Sequence, residues 1–467
     1  MDCIDVAIFD NGINPIFLKS NLHLDIDVND DILYADKGQK SGENDLNHGS
    51  ICAQILERYS SNIRISSIKV LNNAGKGFVS SLKKAFELCV CRNIRIINLS
   101  LGTNNYFDKS ELRTIINHYV SKGLIIIAAS SNNEYCTYPA SFANVIGVCS
   151  GYEFAVNIQE KLSKGIDFVA PSNHEVEIGG VSFRLGKSNS FAAPYVTALV
   201  ADLIYEKGLM TIDEIRDYLC VKRDNFVYSP DWIETAWITP NYQKSKAEYY
   251  FNEDNRILQE CFDHIDTIVI SNLKEIELYG DVGKHIVYIG SESVAKTDKA
   301  HHFWSKESRI EQIMSSRERR ADIEIPLIYC IFDNQIDIIW CLCELKRLLA
   351  DEGYNAFTGY NSIDSVLYDL EYLPQEETIH EKLVDYIYWQ ISYQQSDLAL
   401  IGFNDKNDGF SIEPDMIVYI DSESSGINVK IVYDGCNCLK KEYPDLELEN
   451  IRRICSDIIC CFEKEDE

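Results

Sequence analysis

Gly186–Ile204 reads GKSNSFAAPYVTALVADLI. Its apolar run predicts a long helix starting at Ser190 and reaching about Lys207, with Pro194 in the first turn. Two upstream segments share its character. Val6–Ile13, VAIFDNGI, places Asp10 at the carboxyl end of a first strand, just before a glycine turn. Asp45–Leu56, DLNHGSICAQIL, places His48 at the start of a helix. Between these segments short β-branched runs alternate with helical patterns. Strands are expected at Val6–Phe9, Ile63–Val70, Ile94–Asn98, Leu124–Ala129, Val145–Cys149 and Asp167–Ala170, and helices at Ser50–Tyr59, Ser80–Cys91 and Lys109–Lys122. Continuous apolar strands alternating with helices indicate an α/β, doubly wound parallel sheet covered on both faces. In such a sheet, strand ends and helix starts line the ligand crevice, and Asp10, His48 and Ser190 all lie there.

Taken singly, these residues are ordinary: an Asp before Gly turns the chain, and a Ser at a helix start caps it. Together they form a chemistry. A serine becomes a nucleophile at neutral pH when a histidine takes its proton, and a buried aspartate fixes the histidine tautomer. The chain order Asp, His, Ser is that of subtilisin.

The first 220 residues resemble the subtilisin-like serine peptidases. VAIFDNGI is similar to the family's Asp motif, NHGSICAQI to its His motif and SNSFAAP to its Ser motif. INLSLG (Ile97–Gly102) resembles the strand that binds the substrate backbone. VLNNAGKG (Val70–Gly77) resembles the loop edging the distant subsites. AASSNNE (Ala128–Glu134) resembles the oxyanion segment, and YPASFANVIGVCS and DFVAPS the strands that follow it. The resemblance implies a subtilisin-like fold, a catalytic triad of Asp10, His48 and Ser190, and an oxyanion donor at Asn132, or at Asn133 if the alignment slips by one. Substrate would lie extended against Ser100, Leu101 and Gly102 and against Gly75, Lys76 and Gly77. Glu134 is expected to face the P1 pocket and to favour a basic residue there.

The chain also departs from that family. Its Ser motif usually reads Gly-Thr-Ser-Met; here it reads Ser188-Asn189-Ser190-Phe191. The Asn189 amide is expected to be able to donate near the oxyanion. Ser131 replaces a glycine. The loop from Asn132 to Tyr138 is short, which abbreviates a wall of the P1 pocket. No folding prodomain is expected before the first strand.

Lys222–Tyr242 holds Pro230, Pro240 and several aromatics without periodicity, so residues 223–254 are read as a linker between a peptidase domain, 1–222, and a second α/β domain, 255–467. Strands are expected there at Thr267–Ser271, His285–Gly290, Pro326–Phe332, Leu398–Gly402 and Met416–Tyr419. Thr297–Arg320 is charged and read as a loop plus an exposed helix. A C-terminal helix is expected at Asn450–Phe462. Pro326–Tyr360 has the outline of a nucleotide-binding unit, but its loop, Asp333–Asp337, lacks the Gly and Lys that hold phosphates, so no nucleotide cofactor is expected. FDHIDTIVISN, GYNAFTGYNSIDSVLYDLEYL and SDLALIGFND resemble clostridial peptide maturation system proteins found beside modified, cysteine-rich precursors. That resemblance implies a role in cutting leader from core in a ribosomally made, modified peptide.

The 467 residues carry a formal charge of −29 at pH 7 and are 46% hydrophobic and 25% charged. Such acidity argues against nucleic acid and against an anionic membrane surface as partners. The 16 cysteines fall largely in apolar runs, and the CxC pairs (Cys89/Cys91, Cys341/Cys343, Cys436/Cys438) lack the spacing of zinc knuckles, so no metal is expected. With no signal-like N-terminus, unpaired thiols point to a reducing cytoplasm. The sequence thus points to an intracellular serine endopeptidase acting on a peptide precursor. A non-catalytic leader-binding scaffold and a housekeeping protease are the alternatives. The second domain is expected to serve a homodimer or a partner in a maturation complex.

Overall fold

The computed structural model describes residues 3–28, 46–72, 74–151, 159–161, 166–219, 230–240, 242–280, 282–294, 303–315, 324–404, 412–424, 426–433 and 436–463. The chain divides into two compact units, Met1–Phe226 and Val227–Glu467.

The first unit is built on strands β1 (Ile4–Asp10), β2 (Leu24–Asp27), β3 (Ile63–Lys69), β4 (Ile96–Leu99), β5 (Ile125–Ala129), β6 (Ile146–Ser150), β7 (Gln159–Lys161) and β8 (Ile166–Ala170). They form one sheet in the order β2-β3-β1-β4-β5-β6-β8-β7, parallel except for β7. The helices are α1 (His48–Tyr59), α2 (Val79–Cys91), α3 (Lys109–Ser121), α4 (Asn189–Lys207) and α5 (Ile212–Leu219), and a hairpin of β9 (Glu175–Ile178) and β10 (Val181–Arg184) precedes α4. Side chains alternate across the strands. Val6, Ile8, Ile96 and Ile127 pack with Cys52, Ala193 and Val196 of α1 and α4 on one face. Phe9 turns to the other face, against Phe86 of α2, which in turn stacks on Tyr119 of α3. Burying both faces explains why these strands read as continuous apolar runs.

The chain runs from β1 outward to β3, then returns to place β4 on the other side of β1. This reversal is the point where a doubly wound sheet opens a crevice at its strand ends. Asp10 ends β1 there, and Ser100 follows β4.

The second unit holds two sheets. The first, parallel, has the order β12-β11-β13-β14-β15 from β11 (Thr235–Ile238), β12 (Asn252–Glu253), β13 (Thr267–Ile270), β14 (His285–Tyr288) and β15 (Phe303–Trp304). The second has the order β18-β17-β19-β16-β20-β21-β22 from β16 (Leu327–Phe332), β17 (Ala356–Tyr360), β18 (Glu371–Tyr372), β19 (Leu398–Phe403), β20 (Met416–Glu423), β21 (Gly426–Tyr433) and β22 (Cys436–Tyr443). Helices α6 (Leu258–Cys261), α7 (Leu273–Tyr279), α8 (Lys306–Met314), α9 (Ile338–Asp351), α10 (His380–Gln394) and α11 (Leu448–Glu463) complete it.

Two expectations change here. The linker reading of 223–254 fails at Thr235–Ile238 and at Asn252–Glu253. Although prolines surround the first stretch, Ala236, Trp237 and Ile238 of β11 pair in register with Thr267, Ile268 and Val269 of β13, and β12 pairs with β11. Nor is the helix within 297–320 simply exposed: α8 buries Ile313 and Arg309, whose guanidinium lies 2.8 Å from Glu371. Ahead of it Phe303–Trp304 forms β15, and residues 297–302 and 316–320 of that segment lie outside the described residues. Among the described residues no helix is long and apolar enough to cross a membrane.

Candidate active site

The Asp10 side is held by a close fit of loop on helix. Asp10 is almost fully buried at the end of β1. One carboxylate oxygen accepts the Asn11 N–H at 2.8 Å, and the other lies 2.7 Å from His48 Nδ1. His48 is the first residue of α1. Asn47 caps that helix by accepting the Ser50 N–H at 3.0 Å, and the Ser50 hydroxyl accepts the Asn14 N–H at 2.8 Å. Gly49 lets the helix approach: a Cβ there would stand 2.3 Å from the Gly12 carbonyl oxygen. The His48 side chain remains 34% exposed, so its outer edge opens to solvent. Burial works to lower its pKa, but the neighbouring Cys52 sulfur and the Asp10 hydrogen bond outweigh it and hold the pKa above the usual imidazole value. The Phe191 ring stacks on the imidazole, centroids 5.6 Å apart.

Ser190 is the second residue of α4, where backbone N–H groups have no partner within the helix. Pro194 is the helix's sixth residue rather than part of its first turn. Lacking an N–H, it cannot bond the carbonyl four residues back, which belongs to Ser190. That carbonyl instead accepts the Ser100 hydroxyl at 2.8 Å, with the Cys52 sulfur 3.7 Å away. Ser100 Oγ in turn accepts from Asn98 Nδ2 at 3.0 Å, and Thr197 donates to Asn98 Oδ1 at 2.9 Å. The Ser100 side chain, named from sequence for substrate binding, is thus turned inward. What it offers a substrate is backbone.

The oxyanion side is bolted by Asn189, and here the expectation that its amide donates toward the oxyanion is corrected. Its Nδ2 donates to the Ser131 carbonyl at 2.8 Å, the Ser130 carbonyl at 3.1 Å and the Ser130 hydroxyl at 3.0 Å. Its Oδ1 accepts the Ser150 N–H and hydroxyl, both at 2.7 Å. Asn189 therefore ties the ends of β5 and β6 to the start of α4, with no donor left over. Its own N–H donates to Asn132 Oδ1 at 2.9 Å. This fixes the Asn132 amide with Nδ2 turned away from that bond, and Asn132 is exposed. Asn133, also exposed, has its N–H on Ser131 Oγ at 3.1 Å. Glu134 is exposed on the following turn with φ 64°.

The structure brings Asp10 and His48 into direct contact and sets Ser190 beside them through Phe191. It does not join the last pair: among the described residues, the Ser190 hydroxyl makes no hydrogen bond to His48. Gly75, Lys76 and Gly77 lie exposed on a loop closed by Asn72, whose side chain accepts the Ala74 and Lys76 N–H groups at 3.0 Å. Leu101 is half-buried and Gly102 exposed. Asp10, His48 and Cys52 also form the one group of three potential metal ligands among the described residues. Two of its members are already hydrogen-bonded to each other.

Residues 3–231 match the model of the Subtilase family. This segment is a subtilase domain. It is 26% identical to M-protease of Shouchella clausii over 231 residues, covering 46% of this chain and 58% of that protein. It is likewise 26% identical to Subtilisin Savinase of Lederbergia lenta, covering 46% of this chain and 81% of that one. Among solved structures, sphericase is 21% identical with a TM-score of 0.37, covering 47% of this chain and 82% of its own. The chain thus spans little more than half the length of M-protease, and the family match ends at residue 231, within five residues of the start of the second unit at Val227.

Proposed function

We propose that this chain is a serine endopeptidase that removes the leader from a ribosomally made, modified peptide precursor in a reducing cytoplasm. The observation that carries the reading is the 2.7 Å contact between buried Asp10 and His48, set beside a serine at a helix N-terminus. Rotation of the Ser190 hydroxyl toward the exposed edge of His48 completes the relay when substrate arrives; catalytic hydrogen bonds commonly tighten only in the complex. Ser190 Oγ then attacks the scissile carbonyl as His48 takes its proton. Asn132 Nδ2 and the Ser190 N–H receive the developing oxyanion. Collapse expels the amine, which takes the proton from His48, and water repeats the cycle on the acyl-enzyme. The resemblance of the second unit to maturation-system proteins supports the precursor as substrate and leader binding or partner docking as that unit's role.

A second reading, a leader-binding scaffold, is favoured by the missing Ser190–His48 hydrogen bond. Incubating the protein and its Ser190→Ala variant with a leader-bearing, cysteine-rich precursor separates the two. The first reading expects cleavage, seen by mass spectrometry, that vanishes in the variant. Tight binding without cleavage would favour the scaffold, and casein digestion at a matching rate would favour a housekeeping protease.

A further inference from the structure

Resting on that peptidase reading, we propose that the P1 slot is plugged by Thr137 and admits only a small residue, glycine, alanine or serine, on the acyl side of the cut. Strands β4 and β5 are hydrogen-bonded neighbours in parallel register. Their continuations, Ser100–Gly102 and Ser130–Asn132, form the two walls flanking the nucleophile: Ser100 holds the Ser190 carbonyl, and Asn132 accepts the Asn189 N–H. A substrate strand laid beside Ser100–Gly102, with its scissile carbonyl turned to Asn132, sends its P1 side chain into the gap between those walls.

Thr137 spans that gap. Its hydroxyl accepts the Ser131 N–H at 2.8 Å on one wall. Its methyl lies against the other wall, where a Cβ built on Gly102 would stand 2.6 Å from Thr137 Cγ2. Two further bonds fix it: the Thr137 hydroxyl donates to the Tyr135 carbonyl at 3.1 Å, and its N–H donates to Ser141 Oγ at 3.3 Å. Behind it, Thr103 and Tyr138 exchange both backbone hydrogen bonds, at 3.0 and 2.8 Å, which laces the loop to the strand. Thr137 as a whole is 5% exposed. The short Asn132–Tyr138 loop thus brings its end into the slot rather than around it. A large P1 group would have to displace a side chain hydrogen-bonded to one wall and packed against the other.

The test uses peptidyl diphenyl phosphonates of one sequence that differ only at P1 (the glycine, alanine, phenylalanine and lysine analogues), beside a simple fluorophosphonate that makes no P1 demand. In each, Ser190 Oγ bonds phosphorus, phenolate or fluoride leaves, and the hydroxyl proton passes to His48. The full-length chain is expected to react with the glycine and alanine analogues about 10–100-fold faster than with the phenylalanine and lysine analogues. Thr137→Gly is expected to raise the phenylalanine rate at least tenfold. Thr137→Ser keeps the bond to Ser131, guards against a folding failure, and is expected to raise that rate by a smaller factor. Equal or faster reaction of the large analogues with the wild type overturns the inference, as does a ratio that neither variant changes. Reaction with the fluorophosphonate alone overturns it while leaving the peptidase reading intact. No reaction with any probe overturns the peptidase reading, and this inference with it.

Discussion

The two halves of the site are assembled differently. On the Asp10 side, two functional groups touch directly, 2.7 Å apart, and backbone fit at Gly49 sets the distance. On the Ser190 side, the functional groups do not touch. They are positioned through an intermediary, Asn189, whose side chain gathers Ser130, Ser131 and Ser150 around the start of α4. A direct contact concentrates its energy in one pair; a bolted frame spreads it over several hydrogen bonds and places the group next to it. The halves should therefore fail differently.

The largest effect is expected on the direct side. Asp10→Asn keeps the shape but favours the wrong His48 tautomer, and kcat is expected to fall by about 10⁴ with little change in melting temperature. Asn132→Ala removes one oxyanion donor and is expected to cost about 10²–10³ in kcat, with KM nearly unchanged. Asn189→Ala should behave unlike either. It leaves partly buried carbonyls and an N–H without their side-chain partner, so stability is expected to drop by about 1–3 kcal/mol in urea unfolding. Its kcat loss should add less than fully to that of Asn132→Ala in the double variant, because both act on one oxyanion. Full additivity would break the picture of Asn189 as the bolt.

The smallest of these effects is a shift in pH dependence. His48 must be neutral to accept a proton, and its pKa is held above the usual 6.5 by Cys52 and Asp10 against the effect of burial. The neutral fraction therefore grows only as pH rises through that higher value. The acidic limb of kcat/KM in the free enzyme is expected above pH 6.5, and a limb below it would show that burial outweighs Cys52 and Asp10 together.

Much of the first unit was legible in the sequence because both of its faces are buried. Unbroken, β-branched runs such as Ile125–Ala129 fit a parallel strand covered on both faces. Asp10, His48 and Ser190 were legible because each lies at an element boundary that local pattern marks. The role of Asn189 was not, since it depends on three segments far apart in sequence converging within 3.1 Å. The same holds for Ser100, whose side chain turns inward to Asn98 and to the Ser190 carbonyl that Pro194, 94 positions later, leaves without its helical partner. Thr137 had a signal, the shortness of its loop, but length alone does not say whether a loop opens a pocket or fills it. Strand β11 was hidden by its brevity and by the prolines around it; its pairing with β13 supplies the order that local pattern does not.

The central claim is that His48 activates Ser190. Treating the full-length chain with a fluorophosphonate and measuring intact and peptide masses tests it most directly. One adduct per chain is predicted, located on Ser190 and abolished in His48→Ala. An unlabelled Ser190, or labelling that persists without His48, would contradict it.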